Sequence, residues 1–356
     1  MLKRTTTLIR TTTLIAGACV AALFAAGAAL AQDKKVRLQM ASSYGSTLPI
    51  LGEAAAAFTK KVATATGGSV DIKFNEPNAL VPVLQSFDAV SQGSVDSAWT
   101  ASAFWSGKDT AYNFFSSVPF GPGAAEYLAW LSHGGGKELK AEMYGQHGIH
   151  AITCGMLPPE GSGWFRKEVK SLDELKGLKM RFLGLGAKVM DKLGVATQLI
   201  APGEIYQALQ LGTIDATEFS TPVMDLKLGF HQVAKYYYLP GWHQQTTALE
   251  FLINKKKWDA MSPAQRAAIE QACGDTVQDT VAQGEATQAG ALKEIQAKGV
   301  ELKKWSPEFL AAFEQAWKEV IAEESAKNPN FKRVHESYAK FRADYATWRE
   351  YGYLKQ

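Results

Sequence analysis

The amino-acid sequence predicts an α/β protein built as two domains. Short β-like runs alternate with helical stretches from Val36 onward, the pattern of a largely parallel sheet covered by helices. The chain has 356 residues, and setting aside a leader at 1–31 leaves 325, more than one hydrophobic core usually organises. With 46% hydrophobic and 21% charged residues, the composition is that of an ordinary globular protein.

In chain order, the leader comes first. Lys3, Arg4 and Arg10 are basic, Leu14 to Leu30 is apolar and uncharged, and Ala29-Leu30-Ala31 supplies a small-x-small pattern before Gln32. This predicts a cleavable secretory signal. A membrane anchor would need about 20 strongly apolar residues, and this alanine-rich segment is too weakly hydrophobic. Cys19 follows Ala16-Gly17-Ala18, which lacks the bulky aliphatic residue of a lipidation site. Removing the leader takes three of the 38 Lys and Arg residues and none of the acids, so 35 basic residues face 35 acidic ones. A net charge of zero gives no argument for nucleic acid or an anionic membrane surface as partner.

Val36 to Met40 alternates in period two and reads as a strand. Leu51 to Thr64 reads as a helix ending at Gly67-Gly68, Val70 to Phe74 as a strand, Val81 to Gln92 as a helix closed by Gly93, and Ser97 to Ala101 as a third strand. Right-handed crossovers then imply a parallel sheet. Ala125 to His147 reads as helical and His150 to Cys154 as a strand leaving the first domain. Ser171 and Glu174 are spaced as a capping box. Leu178 to Phe182 is a strand, Ala187 to Leu193 and Ile205 to Leu211 are helices, and Ile214 to Glu218 is another strand. After a connection rich in Tyr and Trp, Thr246 to Ile253 reads as a return strand. Helical patterns run from Pro263 to about Lys298, Pro307 to Ala326 and Val334 to Tyr351.

Motifs of catalysis are weak. Gly184-Leu185-Gly186 opens a helix after a strand, but Val189 replaces the third glycine of a dinucleotide fingerprint. Gly161-Ser162-Gly163 is too compact for a nucleophile elbow. The histidines form no metal or catalytic pattern; His243 stands in a polar and aromatic patch and reads as a surface side chain. Cys154 and Cys273 either pair or remain free thiols. Arg181 lies inside an apolar strand at the end where parallel sheets place ligands, and its guanidinium can grip a carboxylate through two hydrogen bonds. Glu218 ends another strand. A buried unpaired charge costs several kcal/mol, so the two pair with one another, with surface charges, or with a ligand.

The segments Gly177 to Arg181, Gly212 to Glu218 and Lys235 to Trp242 closely resemble those of the DctP-type solute receptors of tripartite ATP-independent periplasmic (TRAP) transporters, and in particular the branch that binds 2-oxo acids and related monocarboxylates. The resemblance implies a two-lobed periplasmic binding protein, type II-like, with a hinge and a long connecting helix. It places 32–157 with about 247–287 in the first lobe, and 158–246 with about 288–356, including the helical tail, in the second. It implies that Arg181 grips the ligand carboxylate and that Glu160, ahead of Gly163-Trp164-Phe165, touches the ligand. It further implies a cation, sodium or calcium, held by Glu218, the Phe219 carbonyl and Gln244. Phe219 stands where tryptophan is usual, Gln244 where an acid is common and Glu160 where an amide is common, so a carboxylate and an amide have traded places. The partners it implies are a small organic acid anion and the membrane permease subunits, and it leaves open a homodimer through the helical tail. A secreted enzyme acting on an oxo acid, and the receptor of an ATP-driven importer, are the competing readings; the first lacks a nucleophile or acid–base pair, the second lacks the K-M-R and A-T-E segments.

Overall fold

β1 (Val36–Ser42), β2 (Val70–Asn75), β3 (Ser97–Thr100) and β4 (Ile149–Leu157) arise in the first half of the chain. β5 (Gly163–Phe165), β6 (Lys179–Arg181), β7 (Ala196–Gln198), β8 (Ala216–Thr217) and β9 (Tyr236–Leu239) follow, and then β10 (Thr247–Asn254) and β11 (Glu301–Lys304). They form two sheets, one in the order β2-β1-β3-β10-β4 and one in the order β11-β9-β5-β8-β6-β7. The computed structural model describes residues 34–354, and those from 36 to 354 belong to a single compact unit. The expected leader, its cleavage point before Gln32 and Cys19 lie outside the described residues. Among the described residues no helix is long and apolar enough to cross a membrane.

The opening β-α-β-α-β run pairs in parallel, β1 with β2 and with β3. β10 then enters antiparallel between β3 and β4, so the sheet is mixed rather than largely parallel: the strand is a return from the second lobe and cannot run with the others. The helix Leu51–Ala65 covers the sheet through Phe58, whose ring lies 5.6 Å from Trp99 and 4.9 Å from Phe251. In the second sheet aromatic stacking replaces aliphatic packing. Trp164 stacks on Tyr237 at 4.3 Å and Tyr238 on Trp305 at 4.2 Å, which accounts for the Tyr-rich strand β9.

Two strand connections cross between the sheets, Leu157 to Gly163 and Leu239 to Thr247, and a helix runs beside them. That helix, Pro263–Ala297, starts with a full capping box at Ser262 and Gln265. Near its start Cys273 is disulfide-bonded to Cys154 of β4, and two turns on Thr280 Oγ1 accepts the Met156 N–H at 2.9 Å. Farther along, Gln288 Oε1 accepts the Val223 N–H at 3.1 Å, beside the helix Pro222–Lys227. One rigid element is thereby anchored to both lobes. The final helix, Pro329–Gly352, packs Phe331 on Phe114 at 4.9 Å and holds Glu126 with Arg349 at 2.7 Å.

Some local expectations differ. The stretch expected as helical from Ala125 forms two helices, Ala124–His133 and Gly136–Gly145, separated where Gly135 takes φ +98°. Ser171 makes no cap; Glu174 Oε2 instead accepts the Lys170 N–H at 2.7 Å, and the segment is one 3-10 turn, Leu172–Leu175.

Candidate functional site

Parallel register brings the first two site residues together. Arg181 is paired with Thr217 across β6 and β8, so the residue after Thr217, Glu218, lies beside the arginine where both strands end. The Glu218 N–H donates to the Arg181 carbonyl at 3.1 Å. The arginine Nη1 donates to the Glu218 carbonyl at 2.6 Å and to its Oε2 at 2.9 Å, while Nε reaches the Ile200 carbonyl at 3.3 Å. The Leu183 N–H also donates to Oε2, at 2.9 Å. Both side chains are buried, so the pair is an internal one, fully bonded on one oxygen of the carboxylate. The other oxygen, Oε1, has no hydrogen-bond partner.

The crossing segments bring up the rest. Glu160 and Gln244 lie on opposite crossings, and the Glu160 N–H donates to the Gln244 carbonyl at 3.1 Å. Close approach requires glycine: a Cβ at Gly241 would sit 2.2 Å from the Glu160 carbonyl oxygen. Thr247, the first residue of β10, donates its hydroxyl to Glu160 Oε1 at 2.6 Å and accepts from Gln244 Nε2 at 2.7 Å; the same amide nitrogen reaches Glu160 Oε1 at 3.2 Å. Glu160 Oε2 and Gln244 Oε1 are left buried without partners.

Burial pushes the Glu160 carboxyl well above the usual carboxylate range, and the nearby Glu218 charge pushes the same way against the Thr247 hydrogen bond. Burial also raises the Tyr44 phenol, with Glu160 adding to it, so that its hydroxyl remains a neutral donor. Asp225, which accepts Trp164 Nε1 at 2.8 Å and the Ser220 N–H at 3.2 Å, is raised by burial to about 7.

These groups surround a cavity of about 20 Å³ lined by Glu160, Arg181, Phe219 and Gln244 together with Tyr44, Ser220 and Thr247. Of the five residues the sequence nominated, four line it; Glu218 stands directly behind, reached through Arg181. The Arg181 guanidinium also lies over the Phe219 ring at 5.7 Å. His243 is a correction. It is 1% exposed, not a surface residue, with Glu218 Oε1 3.8 Å from its Nε2. Tyr44 and Thr247 went unnominated, although Tyr44 follows the C-terminal end of β1, the place in a parallel sheet where ligands gather.

Among the site's orphaned atoms, Glu160 Oε2, Glu218 Oε1 and Gln244 Oε1 are oxygen acceptors, the donor set of a hard cation, and these residues fit a sodium or calcium ion. A two-lobed α/β receptor with its site at the crossing between lobes is the class these features define.

Comparison with known proteins narrows that class. Residues 41–328 match the model of bacterial extracellular solute-binding protein family 7, DctP. A monocarboxylate 2-oxoacid-binding periplasmic protein of Nostoc sp. is 36% identical over 314 residues, 88% of this chain and 86% of that relative. The crystal structure of a TRAP solute-binding protein from Bordetella bronchiseptica, a mixed-occupancy dimer with copurified calcium and picolinate, superposes with a TM-score of 0.86 at 38% identity, covering 88% of this chain and 94% of the other. One from Pseudoalteromonas atlantica with bound sodium and pyruvate gives 0.86 at 33% identity, covering 89% and 97%. The chain belongs to the DctP family of TRAP solute-binding proteins.

Proposed function

We propose that this chain is a periplasmic receptor that captures a small monocarboxylate, a 2-oxo acid such as pyruvate or a hydroxy acid such as lactate, together with a cation, and delivers it to the TRAP permease subunits without making or breaking a bond. The observation that carries the reading is a set of three buried, unpartnered oxygens, Glu160 Oε2, Glu218 Oε1 and Gln244 Oε1, on residues that line or back a cavity which the buried Arg181 also lines. Their negative potential calls for a cation, and the arginine calls for an anion. The relatives that hold sodium with pyruvate and calcium with picolinate support both halves.

In this reading Arg181 binds the acid's carboxylate, turning part of its fork from Glu218 to the ligand, and Glu160 lies against the acid. Glu218, the Phe219 carbonyl and Gln244 hold the cation, whose charge offsets the carboxylates and attracts the acid's oxygens. Tyr44 adds a neutral donor. The cavity is enclosed between the two sheets, so entry of a three-carbon acid requires the lobes to part and binding to close them. The first lobe comprises 32–157 with about 247–287, and the second 158–246 with about 288–356, the final helix reaching back onto the first. A leader at 1–31 would export the chain. Trp348 and Tyr351, exposed on the final helix, and Tyr353 just past its end offer an apolar surface for a homodimer.

The test is calorimetry in calcium buffer with pyruvate, lactate, succinate and isopropanol. Binding of the monocarboxylates alone is expected. Preference for the dicarboxylate, or equal binding of the uncharged alcohol, would contradict the reading.

A further inference from the structure

β4 is the last strand of its sheet, with β10 on one side and, among the described residues, no strand on the other. An edge strand presents a row of backbone N–H and C=O groups to whatever lies beside it, and proteins usually cover such a row. Toward the end of β4 it is covered: the Met156 N–H is taken by Thr280 Oγ1 of the helix Pro263–Ala297. From His150 to Thr153 it is not. These four residues are only partly buried, and between them and the helix lies a groove of about 450 Å³, within the size range of natural ligand pockets.

The groove follows the edge of the sheet and not one of its faces. Successive strand residues point to opposite faces, yet all four line it. Thr153 lies opposite Glu250 on the face of the helix Gly136–Gly145, where its Oγ1 accepts from Lys140 Nζ at 2.8 Å and Lys140 is ion-paired with Glu250 at 2.9 Å. Ile152 lies opposite Phe251, whose ring packs on Phe58 on the other face. Leu128, Leu131 and Val277 make the walls apolar. Lys137 and Glu270, both exposed, stand on the two flanking helices and give the rim one charge of each sign.

Gly274 widens the groove. It sits inside the long helix, where glycine is less favourable than alanine. No crowding requires it, since an added Cβ would find nothing within 4 Å. The missing side chain leaves open space on the groove wall, which Gly274 lines.

An occupant has to match a row of backbone donors and acceptors, fit between apolar walls and meet both charges at the rim. An extended peptide supplies all three, because its main chain pairs with a strand edge while its side chains enter the flanking pockets. Four strand residues span about 13 Å, which sets its length. We propose that a short apolar peptide, about four residues long with free termini, binds in this groove as an added strand on the edge of β4, its ionised ends meeting Lys137 and Glu270. All the residues involved belong to the first lobe, so binding needs neither the acid, the cation nor closure.

The experiment titrates a tetrapeptide of alternating leucine and valine into the full-length exported protein by calorimetry. A twin peptide with N-methylated backbone amides keeps the side chains and termini but cannot pair as a strand. Wild type is expected to bind the first peptide and to bind the twin at least about tenfold more weakly, as loss of main-chain hydrogen bonds implies. Gly274→Leu, which fills the groove, should lose the peptide by a similar factor while thermal unfolding is no lower and pyruvate binding in calcium buffer is unchanged. Arg181→Lys should retain the peptide. Equal affinity for the twin, full binding by Gly274→Leu, or no binding by wild type overturns the proposal and leaves the receptor reading intact. A peptide-free dimer that Gly274→Leu dissociates would assign the edge to a second copy of the chain and equally overturn it.

Discussion

Arg181→Lys keeps the positive charge and removes the planar fork. In the structure that fork spans three acceptors, the Ile200 and Glu218 carbonyls and Glu218 Oε2. An ammonium cannot reproduce such geometry, so the substitution should cost about 2–5 kcal/mol of acid affinity, as breaking buried charge pairs does. Near-wild-type affinity by calorimetry would remove Arg181 from the site. Asp225 makes a separate prediction from its pKa. Its folded value of about 7 lies above the 3.8 of the free side chain, so between these values the folded state keeps a proton that the unfolded chain has lost. Stability carried by this group is therefore present at low pH and falls as pH rises through the window, by up to about 1.4 kcal/mol per pH unit. Urea unfolding of chelated protein should show a shallower decline for Asp225→Asn than for wild type; identical slopes would contradict the assignment. Arg181 and Glu218 were legible in the sequence because each interrupts or ends an apolar strand. His243 was not, since its burial comes from Phe182 and Trp242, brought there by the tertiary fold.

Elements with their own punctuation were equally legible. The helix Ile205–Leu211 ends at Gly212 with φ +72°, and Pro263–Ala297 starts at its capping box. Those bounds follow from local chemistry. The direction of β10 and the pairing of Cys154 with Cys273 do not, because each depends on which element lies alongside in space. The disulfide closes a separation of 119 residues and straps the long helix to β4, away from the cavity. Replacing both cysteines with alanine should cost about 2–5 kcal/mol in denaturant unfolding and leave acid affinity unchanged. A variant as stable as the parent would show that Thr280 and the apolar face of the helix suffice to hold it.

The site belongs to the whole molecule because no lobe owns it. Arg181 ends β6 and Glu218 and Phe219 follow β8 in the second sheet, Tyr44 follows β1 and Thr247 opens β10 in the first, and Glu160 and Gln244 come from the crossings. Closure therefore gathers charges that are separate when the lobes part, and a cation and an acid anion each lower the cost of bringing in the other. That mutual dependence is the central claim, and it must be reciprocal: whatever factor the cation adds to acid affinity, the acid adds to cation affinity. The direct measurement is titration of pyruvate into rigorously chelated, sodium-free protein, repeated at saturating calcium, with calcium then titrated in the presence and absence of pyruvate. Pyruvate affinity should rise at least about tenfold with calcium, within the usual range of coupling, and calcium affinity should rise by the same factor with pyruvate. Full-strength pyruvate binding to the cation-free protein would contradict the account.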